Sequence, residues 1–493
     1  MAKKKQAVVL IHGIGEQMPM DTLRGFIESV SEEGDLFYNK PDLMSASLEL
    51  RRFQARHNSA IARPITDFYE YYWAHHLRSG SFKSVLRWLA TLLGRFPSKI
   101  PRSLKPVYFF TWGSLLLLVL AACLGLLLLG SEAPSFREGG LVYFSSVVIL
   151  IGFLASTARA LSSSFVLGVV ADAARYLTPA PENIEARNKI RAEGIKLLRA
   201  LHESGRYFRI IVVGHSLGSV IGYDIIRNLW VDLRKPWIIN SDAKQPLAKT
   251  FDEKVLAKIA AEHKESGNSH WSPEHVATFR QEQHNLWLEH RAVGIPWLVT
   301  DFITLGSPLA HAGILLDTDR TGFEKRKREW EYPTCPPAVT HTRTHYSEDF
   351  GGQPADEPIT ETSPAITTLA IPHGGAPFAA TRWTNLYFPY RRLVFGDLVG
   401  GPLAGVFGEG IRDIPVQADG AGFWGQTLAS HCMYWHRAGK AKAKPTTSHR
   451  TESPTTKNAG ADSLEALRAS LFLNCFGSKQ IWPAPSRKPS SRA

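Results

Sequence analysis

One serine of this chain lies in a sequence that is typical of an activated nucleophile. Residues 214–218 read Gly-His-Ser-Leu-Gly, with Ser216 at the centre. An apolar run at residues 210–213 precedes them and another at residues 219–223 follows, which predicts a buried strand, a tight turn and a helix. The turn is strained and requires glycine where a Cβ would clash. It presents the serine hydroxyl at the start of a helix, whose dipole favours negative charge. The pattern predicts nucleophilic attack by Ser216 on an acyl carbonyl.

A second glycine-rich segment is predicted to serve the same reaction. Residues 7–11 are an apolar run that reads as a buried strand, and His12-Gly13-Ile14-Gly15 follows it directly. Acyl transfer builds negative charge on a carbonyl oxygen, and backbone N–H groups aimed at that oxygen stabilise it. We expect one such N–H from Ile14 and the other from Leu217, the residue after the nucleophile.

The two motifs together resemble those of the α/β-hydrolase superfamily, in its lipase and esterase branch. The resemblance covers less than half of the chain, namely residues 6–18, 60–75, 207–227, 297–312 and 380–436. It implies a mostly parallel sheet flanked by helices, with the site at the carboxyl ends of the strands. It also implies that the catalytic acid and then the histidine follow the serine along the chain. The His-Gly-x-Gly loop departs from the family in being shorter than its HGGG form.

The acid that the resemblance implies is Asp397. Residues 382–388 read as a strand, and Asp397 lies beyond it in a glycine-rich loop, where the family has its acid. Its role would be to hold the histidine ring in one tautomer and to stabilise the protonated ring. Asp413, in the sequence Arg-Asp-Ile-Pro, remains the alternative.

The base that the resemblance implies is His431, which begins an H-x-x-Y pattern after the last predicted strand. An imidazole can accept the serine proton and return it near neutral pH. His436 and His373 are alternatives by position. His215, at the variable position of the nucleophile motif, is interpreted as a packing residue, and His12 is expected to orient the oxyanion loop.

Two long uncharged stretches predict a transmembrane hairpin. Residues 107–129 are long enough to cross a bilayer, and residues 141–158 form a second, shorter span. The polar residues 131–140 connect them, and residues 160–171 either prolong the second helix or lie at the interface. Before the hairpin, residues 81–106 carry apolar side chains on one helical face and basic ones on the other, which predicts an interfacial helix on anionic lipid.

The catalytic domain and both termini are predicted to be cytoplasmic. Residues 81–106 contain six Lys or Arg and no Asp or Glu, whereas the loop between the spans is short and leans acidic. The first residues, Met-Ala-Lys-Lys-Lys, lead into a strand without a secretory leader. The four cysteines are scattered and indicate neither a disulfide framework nor a zinc site.

The net charge of +12 is concentrated at the membrane-proximal segment and in the tail. Residues 439–493 hold ten Lys or Arg against three Asp or Glu. Basic segments of this kind are attracted to anionic headgroups. No nucleic-acid-binding motif is visible, so we expect membrane lipids and not nucleic acid as partners. The tail is rich in Lys, Thr, Ser and Pro and is predicted to be disordered, with a short helix at residues 463–473.

The 493 residues are interpreted as one α/β catalytic domain that a membrane segment interrupts. Residues 1–80 and 172–438 are predicted to form its two parts, and residues 107–171 the hairpin. Insertions are predicted at residues 230–295, which read as helical, and at residues 311–380, which read as an irregular lid or loop.

These features predict a membrane-anchored serine esterase of the lipase type. His431 takes the proton of Ser216, Asp397 stabilises the imidazolium, and water hydrolyses the resulting acyl-enzyme. No metal and no organic cofactor is implied. A lipid or acyl ester is the first substrate expected, because a hydrolase held at a bilayer meets lipids at high local concentration. A soluble ester or thioester is one alternative, and a catalytically inactive interaction protein that retains the fold is another.

Overall fold

The computed structural model describes a discontinuous set of residues around one sheet. The described residues are 5–14, 18–31, 35–45, 49–56, 64–76, 94, 96–97, 105, 108–109, 112–113, 116, 176–177, 181–236, 271–317, 320–337, 371–390, 396–397, 399–418, 428–435 and 461–472. Apart from isolated positions between 94 and 116, the predicted interfacial helix and transmembrane hairpin lie outside them. Within the part of the chain that is described, no helix combines the length and the apolar composition that crossing a membrane requires.

A nine-stranded sheet organises the described residues. Its strands are β1 (Lys5–Ile11), β2 (Leu36–Pro41), β3 (Arg51–Arg56), β4 (Ile65–Tyr71), β5 (Arg209–His215), β6 (Val299–Leu305), β7 (Arg382–Tyr387), β8 (Arg412–Gln417) and β9 (Ala461–Asp462). The spatial order is β2-β3-β4-β1-β5-β6-β7-β8-β9. All neighbours from β4 to β9 are parallel, whereas β2 and β3 add an antiparallel edge.

Helices cover both faces of this sheet. They are α1 (Asp21–Val30), α2 (Pro181–Glu203), α3 (Leu217–Leu233), α4 (Pro273–Val293), α5 (Ala312–Leu315), α6 (Arg320–Arg328), α7 (Ala404–Phe407) and α8 (Ser463–Ser470). Successive residues of a strand face opposite sides. In β1, Val9 and the residues two positions before and after it therefore face one side of the sheet, where they pack with α2, α3 and α4. Val8 and Leu10 face the other side and pack with α1 and α8.

The strands in the middle of the sheet are buried on both faces. Every residue of β5 and β6 is buried, because both faces of a parallel sheet are covered by helices. The predicted α/β architecture, a mostly parallel sheet flanked by helices, is confirmed. The predicted strands at residues 7–11, 210–213 and 382–388 correspond to β1, β5 and β7.

Residues 461–472 of the tail are structured, and they include the short helix predicted at residues 463–473. There β9 pairs with β8, and α8 follows at the position of the predicted short helix. Leu467 is fully buried against the α1 side of the sheet. Arg468 donates hydrogen bonds to the carbonyls of Val30 (3.0 Å) and Ser31 (2.9 Å) at the end of α1. Apolar burial and the capping of α1 thus outweigh the polar composition around this segment.

The described parts of the two predicted insertions also carry structure. α4 lies within residues 230–295, and its Phe279, Trp287 and Val293 belong to the main hydrophobic core. Within residues 311–380, α5 and α6 interrupt the stretch that the sequence predicts to be irregular.

Candidate active site

The turn between β5 and α3 holds Ser216 in a strained conformation. Its backbone has φ 51° and ψ −127°, which is unusual for a residue with a side chain. The N–H of Ser216 donates to the carbonyl of Leu305 at 2.9 Å, so the turn is tied to the end of β6. Such strain persists only where surrounding structure enforces it, and it concentrates at functional sites.

Glycine is required on both sides of this serine. A Cβ added to Gly218 would lie 2.2 Å from the carbonyl oxygen of Ile11. A Cβ added to Gly214 would lie 2.5 Å from the Cα of Ser219. Glycine at position 218 lets the first turn of α3 approach the end of β1. Glycine at position 214 lets the end of β5 lie against Ser219. These two contacts explain why the motif has glycine two residues before and two residues after the serine.

The predicted oxyanion loop lies directly against Ser216. A Cβ added to Gly13 would be 3.0 Å from the Cβ of Ser216. Ile14, the expected donor, is buried next along the loop, and Leu217 is buried at the start of α3. The loop and the first turn of α3 both adjoin the serine, where the expected N–H donors are needed.

His12 orients this loop, as the sequence analysis expects. Its ring stacks on Trp73, with centroids 5.0 Å apart, and its Nδ1 donates to the carbonyl of Gly13 at 2.8 Å. Trp73 returns a hydrogen bond from its indole N–H to the carbonyl of His12 at 2.9 Å. Burial lowers the pKa of His12 to about 4, so the ring is neutral at pH 7 and serves as a fixed structural donor.

His431 and Asp397 form a buried hydrogen-bonded pair. Nδ1 of His431 lies 2.8 Å from Oδ2 of Asp397, whose side chain is fully buried. The carboxylate also accepts hydrogen bonds from the Tyr434 hydroxyl and the Val399 N–H, both at 2.8 Å. Burial acts to raise the pKa of Asp397, but the His431 charge and the hydrogen bonds to the carboxylate outweigh it and lower that pKa below its ordinary value. Asp397 therefore stays ionised and orients the ring through Nδ1.

The His431 ring lies at the same edge of the sheet as Ser216. A Cβ added to Gly306 would lie 3.0 Å from Nδ1 of His431. Gly306 follows Leu305, whose carbonyl accepts the backbone hydrogen bond from Ser216. The ring centroid lies 5.1 Å from that of His215, the residue before the serine. The Nε2 of His215 donates to the carbonyl of His431 at 2.9 Å, which ties the two loops together.

The second ring nitrogen of His431 is available as a proton acceptor. Its Nε2 is buried and has no hydrogen-bond partner among the described residues, so the Ser216 hydroxyl does not donate to it in this structure. A buried polar atom without a partner requires an explanation, and a ring nitrogen that accepts a proton from a reacting group is one. Hydrogen bonds between nucleophile and base are often long before substrate binds.

The alternative residues are engaged elsewhere. The carboxylate of Asp413 accepts from the N–H groups of Leu403 and Ala404 at the start of α7, at 2.8 to 3.0 Å, and from Asn385 at 2.7 Å. His373 stacks on Trp330, with centroids 4.2 Å apart. His436 lies outside the described residues.

Two positioning residues were not identified from the sequence. Tyr434 completes the H-x-x-Y pattern, but only the fold reveals that its hydroxyl bonds Asp397. His215 is more than the packing residue expected, because it anchors the His431 loop. The H-x-x-Y pattern is the one sequence signal that points to either role.

The described residues also bring together three potential metal ligands, His75, His76 and Glu193. His75 and His76 follow β4 in the 3₁₀ helix Ala74–His76, and Glu193 lies on α2.

Neither a family model nor a curated protein nor a solved structure matches this chain. The functional interpretation therefore follows from the contacts, burial and charges of the residues themselves.

Stability is expected to fall as the pH is lowered from 7 to 4. Burial lowers the pKa of His12 to about 4 and that of His215 to about 3, from an ordinary 6.5. Below pH 6.5 the unfolded chain binds protons that the folded chain does not, so the free energy of unfolding decreases by up to about 1.4 kcal/mol per pH unit for each such histidine. Asp397, with its lowered pKa, loses its contribution only at still lower pH. Denaturant titrations at each pH measure this slope.

The matched variant is His215→Gln, which retains a donor for the His431 carbonyl but binds no proton. Its stability should depend less steeply on pH than that of the wild type. An identical slope in both proteins, or no slope in either, would contradict the neutral buried state of His215.

Proposed function

We propose that this protein is a serine hydrolase of the α/β-hydrolase type, in the lipase and esterase branch, that cleaves carboxylic esters. One observation carries the proposal: a histidine held through Nδ1 by a buried carboxylate has a bare Nε2 at the edge of the sheet where Ser216 adopts its strained conformation. A base oriented by a carboxylate through Nδ1, with Nε2 left to accept a proton, is the arrangement that general-base chemistry requires.

The proposed reaction proceeds in two halves. Nε2 of His431 accepts the proton of the Ser216 hydroxyl as Oγ bonds to the ester carbonyl carbon, and the N–H groups of Ile14 and Leu217 receive the oxyanion. His431 then donates that proton to the leaving alcohol, and the acyl group remains on Ser216. Water attacks the acyl-enzyme with His431 again as base, which releases the carboxylic acid and restores the serine. Asp397 remains ionised throughout and stabilises the imidazolium.

We further propose that the enzyme is an integral membrane protein with its catalytic domain and both termini in the cytoplasm. The apolar spans at residues 107–129 and 141–158 and the basic residues 81–106 support this interpretation.

A lipid or other long acyl ester is the proposed substrate, because the anchor concentrates the enzyme where such esters reside. We expect kcat/KM to be higher for a long-chain ester in phospholipid vesicles than for a short-chain ester in solution, and the preference to shrink when vesicles are replaced by free monomeric substrate. Equal or faster hydrolysis of the short soluble ester would favour a soluble substrate, with the hairpin serving only to locate the enzyme at the membrane.

Ser216→Ala should abolish labelling by a fluorophosphonate probe, because the probe needs a serine alcohol that a histidine deprotonates. Ser29→Ala on α1, whose hydroxyl bonds only the Gly25 carbonyl among the described residues, is the control and should label like the wild type. Labelling is read by gel fluorescence on protein of verified fold. Absent labelling of the folded wild type, or equal labelling of Ser216→Ala, would instead support an inactive interaction protein.

The two aspartates offer a matched test of the acid. Asp397→Asn should lower kcat on the order of 10⁴-fold, because the amide no longer holds His431 in the tautomer that frees Nε2. Asp413→Asn should leave kcat in the same range and mainly reduce thermal stability, because Asp413 caps α7. Steady-state hydrolysis of an acyl ester and thermal melts distinguish the two effects. The reverse ranking in kcat would assign the acid to Asp413.

A further inference from the structure

A cluster of metal-ligating side chains lies where the chain leaves the sheet after β4. His75 and His76 belong to a short 3₁₀ helix, Ala74–His76, and Glu193 lies on α2. Oε2 of Glu193 is 2.8 Å from Nε2 of His76 and 3.9 Å from Nε2 of His75. The three potential ligand atoms lie within 4.8 Å of one another, so small side-chain movements bring all three onto one ion.

We propose that His75, His76 and Glu193 bind one zinc ion. Two imidazole nitrogens and one carboxylate oxygen are a ligand set that zinc accepts, with a fourth position for water. Calcium and magnesium prefer oxygen ligands, so the two histidines disfavour them. The side chains of His75 and Glu193 are 47% and 44% exposed, which leaves an entry path and room for a water ligand.

The surroundings of the cluster hold its ligands in place. The ring of His75 stacks on Tyr72, with centroids 5.5 Å apart and planes 15° apart, and it forms a hydrogen bond with the Tyr72 backbone. Metal-binding histidines characteristically use the other ring nitrogen in this way. The backbone N–H of His76 donates to the carbonyl of Trp73 at 3.1 Å.

Glu193 is positioned from the helix side. The Tyr71 hydroxyl donates to the carbonyl of Ile190, one helical turn before Glu193. A Cβ added to Gly194 would lie 3.1 Å from the Tyr71 ring, so α2 lies tightly against the end of β4. The carboxylate therefore reaches the histidines from a helix whose place against the sheet is already fixed.

The proposed ion would join the two chain segments that flank residues 77–180. That stretch contains the predicted membrane hairpin, and the ion would link the 3₁₀ helix before it to α2 after it. The same segment carries Trp73, which supports His12 and through it the oxyanion loop. The zinc is therefore proposed to link the end of β4 to α2 through three protein ligands, and this proposal does not depend on the hydrolase activity.

Zinc binding to the detergent-solubilised full chain tests the proposal. Metal-stripped protein is titrated with zinc chloride in competition with a chromogenic chelator. We expect one equivalent per chain and a rise in melting temperature on zinc addition, because a ligand that binds only the folded state stabilises it. Absence of saturable binding by the wild type would overturn the proposal, as would competition by magnesium at similar concentrations.

Variants and a second metal make the test specific. His76→Ala and Glu193→Gln should each weaken zinc binding by about tenfold or more. Glu185→Gln, also on α2 but in an exposed pair with Lys189, is the control and should bind like the wild type. Unchanged binding in both site variants would contradict the assigned ligands. Cobalt(II) added to the wild type should give the visible absorption of a four-coordinate site, and its absence would contradict the geometry even if a variant fails to fold.

Discussion

The hydrogen bond between His431 and the buried carboxylate of Asp397 is the interaction on which the site depends. An ionised carboxylate in the protein interior is unfavourable unless donors surround it. Here the imidazole, the Tyr434 hydroxyl and the Val399 N–H supply them. Removing one of these donors leaves a buried carboxylate less well satisfied, which costs on the order of 1–3 kcal/mol or more, so the loops that carry these residues are held to one arrangement. That arrangement also leaves only Nε2 of the ring for chemistry.

The parallel sheet explains how residues far apart in sequence reach one place. Parallel strands end at a common edge, and the loops that follow β1, β5, β6 and β7 meet there. Close approach between them requires small residues. A Cβ at Gly218 would meet the β1 backbone, and one at Gly306 would lie 2.8 Å from the Asp397 carboxylate. The glycines of the motifs are thus the sites where loops touch.

The sequence predicted the central strands of the sheet better than the strands near its edges. Continuous apolar runs identified β1 and β5, because both strands are buried on both faces. β8 is largely exposed and was missed, since its sequence lacks such a run. Local motifs also indicated Ser216, Asp397 and His431. The roles of His215 and Tyr434 depend on contacts across more than thirty residues, and the cluster of His75, His76 and Glu193 spans more than a hundred, so no local spacing indicates it.

The account predicts that Ser216 and His431 meet at one reacting centre, and a crystal structure of the protein after reaction with an alkyl phosphonate tests this most directly. Phosphorus should be bonded to Oγ of Ser216, with one phosphonate oxygen accepting from the N–H groups of Ile14 and Leu217 and another group within hydrogen-bond distance of Nε2 of His431. Phosphorus on a different residue, or a different imidazole beside the adduct, would contradict the account.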